Sequence, residues 1–439
     1  MVINPNNEFK QTEIGSIPND WNVKPLTELI VHIVDNRGRS APTNEIGIPL
    51  IATNCIKEDR LYPAKERIRF VSESAYKTWF RDHPKPGDII IVNKGTPGLV
   101  SFVPDPVDFC MAQDMVALRS NPEKIYNRYL FAFLRSKNFK HQVDSLNVGT
   151  TIPHLKKSVF SELYIPIPLR NEQIFIGNIH FSLLKKVEII RYTNRILNNI
   201  GKALFKHWFL DFQFPDKGGN QYRSNSGEMV ESIIGDIPKG WNVASLYDIA
   251  HFINGKAFKT KDFDSDGCGL PIIKISELKN GITDQTKFSS DKHEDKYRIE
   301  NGEILFSWSG SPKTSLDTFI WSKGVGWLNQ HIFRVIPKNN ALKYFIYYAM
   351  RLKRREFVQI ARNRQTTGLG HVTLADLKRI KMAIPEEKIV NSFNAIIRPV
   401  FERTYENLVE DNHLSLLKNT LLPKLISGKI RVTVSEVPQ

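Results

Sequence analysis

The alternation of apolar and polar residues divides the chain into two globular stretches, each followed by a long helix. Ile48-Pro49-Leu50-Ile51 is a short apolar run of the kind that forms a buried strand. Pro86-Gly87-Asp88 reads as a turn leading into Ile89-Ile90-Ile91-Val92, whose branched side chains pack well on a pleated surface. From Asn171 to about Phe212 Gly and Pro become scarce, and Ile179, Leu183, Ile190, Leu197, Ile200 and Leu204 fall on one heptad seam. Lys186 and Thr193 are its polar exceptions. Alternating steps of three and four predict a helix of about 40 residues, roughly 60 Å long at 1.5 Å per residue. A second such series runs through Phe393, Ile397, Val400, Leu408, Leu414, Leu417, Leu421 and Leu425, and Pro399 is expected to begin, kink or locally unwind its helix. Neither helix can bury a stripe of that length alone, which favours an antiparallel coiled coil over two independent amphipathic helices.

The same phrase occurs twice. Ile14-Gly15-Ser16-Ile17-Pro18-Asn19-Asp20-Trp21-Asn22-Val23 returns as Ile234-Gly235-Asp236-Ile237-Pro238-Lys239-Gly240-Trp241-Asn242-Val243, with seven of ten positions identical. Further pairs keep nearly the same register: Leu50 with Ile272, Gly87 with Gly302, Gln113 with Gln330, Pro122 with Pro337, Tyr129 with Tyr344, Thr150-Thr151 with Thr366-Thr367, His154 with His371, and Pro168 with Pro385. The chain therefore reads as two copies of one unit. Phe214 to Gly227, rich in Gly, Asn and Ser, reads as a polar linker. The expected class is mixed α/β (α+β), in five segments: a globular domain at 1–168, a helix at 169–214, a linker at 215–227, a second domain at 228–385 and a second helix at 386–439.

At 439 residues the chain suits more than one core, and its 41% hydrophobic and 24% charged content is that of a soluble globular protein. Charge changes the picture more. Lys and Arg outnumber Asp and Glu by 61 to 46, a formal +15, which favours an anionic partner, nucleic acid first and an anionic membrane surface second. No apolar run approaches a membrane span, and Met1 to Lys10 has no signal-peptide core. Cys55, Cys110 and Cys268 are isolated, which argues against a disulfide framework or a cysteine-ligated zinc and for a reducing cytoplasm.

Motifs for catalysis are missing: GxxxxGK[ST], GxGxxG after a strand, Asn-Pro-Pro-aromatic, and metal-ligand spacing of His or Cys. Glu386-Glu387-Lys388, with Asp376 upstream, imitates part of a metal-dependent nuclease site, but acidic residues at a helix start have a structural reason to be there. Basic residues say more. Arg351, Lys353, Arg354, Arg355, Arg362 and Arg364 crowd one stretch, with Arg351, Arg355 and Arg362 expected near one helical face. Arg135, Lys137, Lys140 and His141 form a weaker match in the first copy. Candidate DNA-binding residues on or beside loops are Arg37, Arg39, Asn54, Lys57, Lys94 and Thr96 in the first copy. In the second they are Lys274, Lys279, Trp308, Ser309, Lys313, Arg362, Arg364 and Gln365. Arg and Lys there can neutralise phosphates or pair with guanine edges, and Trp308 can stack on bases or belong to the core. The aromatic run Phe205, Trp208, Phe209, Phe212 and Phe214 is read as helix-end packing before a partner surface.

The whole chain resembles the specificity subunit of type I restriction–modification systems. The resemblance rests on the twice-used Ile-Gly-x-Ile-Pro-x-x-Trp phrase, on Gly87-Asp88-Ile89 with its counterpart Gly302-Glu303-Ile304, and on the related helix end Ala203 to Phe212. Its most specific part is the tail Leu421-Leu422-Pro423-Lys424-Leu425-Ile426-Ser427-Gly428-Lys429-Ile430. The second copy departs with Gly368-Leu369-Gly370 where the first has Thr151-Ile152-Pro153. The resemblance implies two target-recognition domains held apart by an antiparallel coiled coil, each reading half of a bipartite double-stranded DNA site. It implies no enzymatic activity and no bound cofactor in this subunit. Two methyltransferase partner subunits would carry the S-adenosylmethionine chemistry, and translocase/nuclease subunits would bring ATP and magnesium. A rigid coiled coil would then fix the spacing of the half-sites. A duplicated scaffold that binds proteins, or a nuclease with an unrecognised site, are the alternatives.

Overall fold

The computed structural model describes residues 8–36, 38, 40–146, 153–264, 267–290, 292–365 and 369–431. Contacts divide the chain into two compact units, Met1–Ile189 with Leu414–Gln439, and Ile190–His413.

In the first unit a four-stranded antiparallel sheet has the order Ile30–Val34, Met115–Ser120, Ile89–Val92, Val100–Phe102. All four residues of Ile89–Val92 are buried because both faces of the strand are covered. Side chains alternate along a strand. Ile89 and Ile91 pack with Tyr129, Leu130 and Phe133 of the helix Asn127–Leu134, while Ile90 and Val92 join Ile51, Phe109 and Met111 on the other side. Ile48–Ile51 pairs antiparallel with Arg69–Val71 and parallel with Cys110–Met111. The opening phrase forms the strand Gly15–Pro18 and a fully buried Trp21, whose indole N–H donates to Glu172 at 3.1 Å.

The tail closes this unit. Gly428 takes φ +68°, the left-handed cap that ends a helix, and its Cα lies so near the ring of Pro18 that an added Cβ would stand 2.3 Å from it. Beyond it Arg431 pairs with Asp20 at 2.6 Å and Glu172 at 2.7 Å. The tail signature thus has a physical role, since it seats the end of the second long helix on the opening phrase.

The second unit repeats the sheet order with Ala250–Asn254, Ile332–Pro337, Ile304–Ser307 and Asp317–Ile320. Ile304 and Phe306 face one core and Leu305 another, so the strand is again sandwiched. Phe205, Trp208, Phe209, Phe212 and Phe214 are all buried in this unit, and Phe214 stacks on Trp241 at 5.0 Å. The aromatic run is helix-end packing, as expected.

The two long helices are Arg170–Phe209 and Glu387–Ile426. Within the second unit Arg191 meets Asp411, Asn194 meets Asn407 and Phe205 meets Phe393, so one number rises as the other falls and the pairing is antiparallel. In the first unit Leu425 and Ile426 share a core with Ile176, Phe181 and Leu184.

The buried seam differs from the expected one. His180, Leu184, Val187, Ile190, Asn194, Gly201, Phe205 and Trp208 are buried, one residue beyond most of the predicted positions. Ile200 is 48% exposed, Leu417 is 45% exposed, and Ile179, Leu183, Leu197 and Leu204 are half-buried. The reason is steric. Gly201 admits the Tyr348 ring, leaving only 2.2 Å for an added Cβ, so the smallest residue occupies the tightest place. The second helix neither begins nor unwinds at Pro399.

Candidate nucleic-acid interface

Both central strands run into a polar loop, and the backbone explains how each loop is held. In the first unit Asn93 and Lys94 donate their N–H groups to the Asp114 carbonyl at 2.9 and 3.3 Å, Gly95 donates to the Pro153 carbonyl, and Leu155 donates to Asn93. Lys94 bridges to His154. Gly98 has φ +84° and lies against Val143, a turn that a side chain would strain. Pinned at this many points, the loop presents Lys94 and Thr96 to solvent. Lys94 lines an open cleft of about 570 Å³ together with Asp35, Arg81, Asn93, Gln113, Asp114 and His154. Thr96 lies at a neighbouring hollow of about 320 Å³ with Lys140 and Asp144. Asn54 and Lys57 are exposed but line neither cavity, and Asn54 donates to the Glu66 carbonyl. Arg37 and Arg39 lie outside the described residues, as do the paired threonines Thr150-Thr151 and Thr366-Thr367.

In the second unit Ser309–Gly310 pairs with Gly370–His371, the counterpart of the Lys94–His154 bridge. Trp308 is half-buried. Its indole N–H donates to Asn254 at 3.0 Å and its ring stacks on Phe333 at 5.4 Å, so the tryptophan closes the core edge and one face is already occupied. Lys313 and Arg362 are exposed. Lys279 donates to the Thr314 carbonyl, and burial pulls its pKa down. Lys274 is half-buried with its ammonium 5.5 Å from the Phe263 ring, while its backbone N–H caps onto Glu277. Arg364 pairs with the buried Asp376 at 2.6 Å, a structural contact, and Gln365 is exposed at the end of the same segment.

The basic stretch does not form one face. Lys343–Leu352 and Arg354–Asn363 are separate helices broken at Lys353. Arg351 is tied to Asp317 at 2.9 Å, and Arg354 donates to the Leu316 and Lys313 carbonyls. Only Arg355 and Arg362, seven apart on the second helix, share an exposed side. In the first unit Arg135 is similarly spent on the carbonyls of Glu58, Arg60 and Val100.

Asp376 caps the helix Leu374–Arg379 through Thr373, which accounts for the nuclease-like carboxylate. Among the described residues no group of three or more His, Cys, Asp or Glu is placed to hold a metal ion. No described helix is long and apolar enough to cross a membrane.

The expected set omitted Asp35, Arg81, Asn93, Gln113, Asp114 and His154. Gln113 and His154 do recur as Gln330 and His371, but recurrence marks a repeat and not a cleft. Sheet register was needed to bring residues 93, 113 and 154 together.

Comparisons agree with this architecture. The family model described as "Type I restriction modification DNA specificity domain" matches residues 18–200 and 238–404. The chain is similar to the type I restriction enzyme MjaIX specificity subunit of Methanocaldococcus jannaschii, 25% identical, with 97% of each chain covered. It is also similar to the HindI specificity subunit of Haemophilus influenzae, 23% identical over 79% of this chain and 87% of that one. In fold it is similar to the crystal structure of the S subunit from the M. genitalium type I restriction–modification system, with a TM-score of 0.56 at 16% identity and 99% of each chain covered. Two matched domains, in the two halves of one chain that repeat the same sheet, place it: the protein belongs to the type I restriction–modification DNA specificity family.

Proposed function

We propose that this chain reads a bipartite double-stranded DNA target, one half-site per unit, and docks two methyltransferase subunits of a type I restriction–modification complex in the cytoplasm. The observation that carries the reading is the duplicated sheet with a pinned polar loop at the same strand end in each unit. Exposed Lys94, Thr96, Lys313 and Arg362, with a net charge of +15, suit a polyanion. Tyr192, Ile196 and Ile200 form an exposed apolar stripe on one helical face, which suits a protein partner. S-adenosylmethionine, ATP and magnesium are assigned to partner subunits, the translocase/nuclease subunits among them, and no cofactor to this one.

Domain exchange tests the reading. Residues 230–385 are replaced by the matching segment of a relative, and methylated sites are mapped in cells carrying the full system. One half-site should change while the other stays. A change in both, or in neither, rules out one unit per half-site.

A further inference from the structure

Lys94 and Asp114 stand side by side in the open cleft without pairing. The Lys94 backbone N–H donates to the Asp114 carbonyl at 3.3 Å, and both residues line the cleft. Lys94 and Arg81 are exposed there, and Asp114 is half-buried. Among the described residues none of these three side-chain charges has a hydrogen-bond or ion-pair partner. Asp35, the other carboxylate of the cleft, is paired with Lys157 at 3.6 Å. The walls thus offer two free cations and one free carboxylate. A phosphate would be drawn by the cations and repelled by Asp114, whereas a ligand that sets acceptors beside a donor satisfies both signs.

The second unit repeats the frame and changes the groups. Lys94 bridges to His154 as Ser309 pairs with His371, and Asp114 stands one residue ahead of Met115–Ser120 as His331 stands one ahead of Ile332–Pro337. The shared backbone positions; the side chains it presents, Lys94 and Asp114 against Ser309 and His331, differ. In the major groove guanine presents two acceptors, O6 and N7, and its partner cytosine presents the N4 amino donor. Lysine matches the first and aspartate the second. We propose that Lys94 and Asp114 are specificity-determining residues that read one G·C base pair in the first half-site, Lys94 donating to guanine and Asp114 accepting from cytosine N4. This rests on the DNA-reading function proposed above. With Arg81 beside them the free groups sum to a positive charge, so the carboxylate does not turn an anionic duplex away.

The test selects binding sequences for the full chain from a random double-stranded library and titrates binding against salt. Wild type should select a G·C pair at a fixed position of one half-site. Lys94→Met and Asp114→Ala should each weaken binding to that motif roughly ten- to hundredfold and relax that same pair, leaving the other positions as they were. Asp114→Asn keeps the side chain's size and should shift the pair toward A·T, because a carboxamide matches adenine N6 and N7. It serves if the alanine variant folds poorly. Salt separates a base contact from a phosphate contact, since losing a phosphate contact lowers the slope by about one. An unchanged slope in Lys94→Met supports the proposal, and a fall of about one overturns it. Relaxation of different positions by the two variants, uniform weakening on all sequences, or unchanged selection also overturns it. A flat salt dependence in wild type overturns the DNA-reading function itself, so the two failures are distinguishable.

Discussion

Arg431 ties the segment after the second long helix to the opening phrase, and removing it has a calculable effect. Its guanidinium makes two bonds to Asp20, at 2.8 and 2.6 Å, and two to Glu172, at 2.7 and 3.2 Å. These halves differ in worth. The Asp20 side chain is 45% exposed, so that pair contributes about 0–1 kcal/mol. The Glu172 side chain is only 5% exposed, and stripping the partner from a buried charge costs about 3–5 kcal/mol. Trp21 still donates to Glu172, which keeps the loss at the lower end. Arg431→Met is thus expected to cost about 3 kcal/mol, or a fall in melting temperature of roughly 6–12 °C for a unit of this size. Calorimetry measures the fall, and amide exchange should rise in Gly15–Pro18 and Asn22–Pro25 before it rises in Asn242–Ser245. Adding Glu172→Gln should recover about half of the loss, because the orphaned charge is then gone. The pair with Asp20 sets a pH dependence. The hydrogen bond from Arg431 holds the Asp20 pKa down, so its stabilisation is present above the ordinary aspartate pKa of about 4 and is lost as pH falls through the lower folded value. Arg431→Met should flatten that acid limb. A melting shift below about 2 °C, or no recovery in the double variant, would refute the reasoning.

Two further substitutions test the helix seam. His180 is fully buried against Phe131, and neither ring nitrogen has a hydrogen-bond partner among the described residues. Burial, with Arg135 and Lys418 nearby, pushes its pKa far down, so the unfolded chain binds a proton that the folded one refuses. Stability therefore falls as pH drops below about 6.5, and His180→Leu should add about 1–3 kcal/mol at neutral pH and remove that slope in urea unfolding. Unchanged or lower stability would mean that the ring is satisfied after all. Gly201→Ala pits helix propensity, a gain of about 1 kcal/mol, against a Cβ 2.2 Å from the buried Tyr348 ring. Overpacking should win by about 1–2 kcal/mol, and a rise in melting temperature would contradict the packing described for the second unit.

The chain's order was legible in its residues because it rests on local signals. The twice-used phrase, the run Ile89–Val92 and the low-Gly stretch that became Arg170–Phe209 are set by short-range geometry and by periods of two and 3.6. Which face of a helix is buried is a different kind of fact. The seam took in His180, Asn194 and Gly201 and left Ile200 exposed, because the shape of the opposing surface chose a small residue over an apolar one. Charge behaves likewise. Arg135, Arg351, Arg354 and Arg364 look like DNA-facing residues in the sequence, yet each is spent on a carbonyl or carboxylate brought near only by folding. The cleft formed by Asn93, Lys94, Gln113 and His154 joins segments far apart in the chain. Residue pattern determined the repeat, the strands and the long helices, while tertiary structure alone decided which polar groups remain free to meet a ligand. Periodicity is a property of neighbours along the chain; a hydrogen bond already made is a property of neighbours in space.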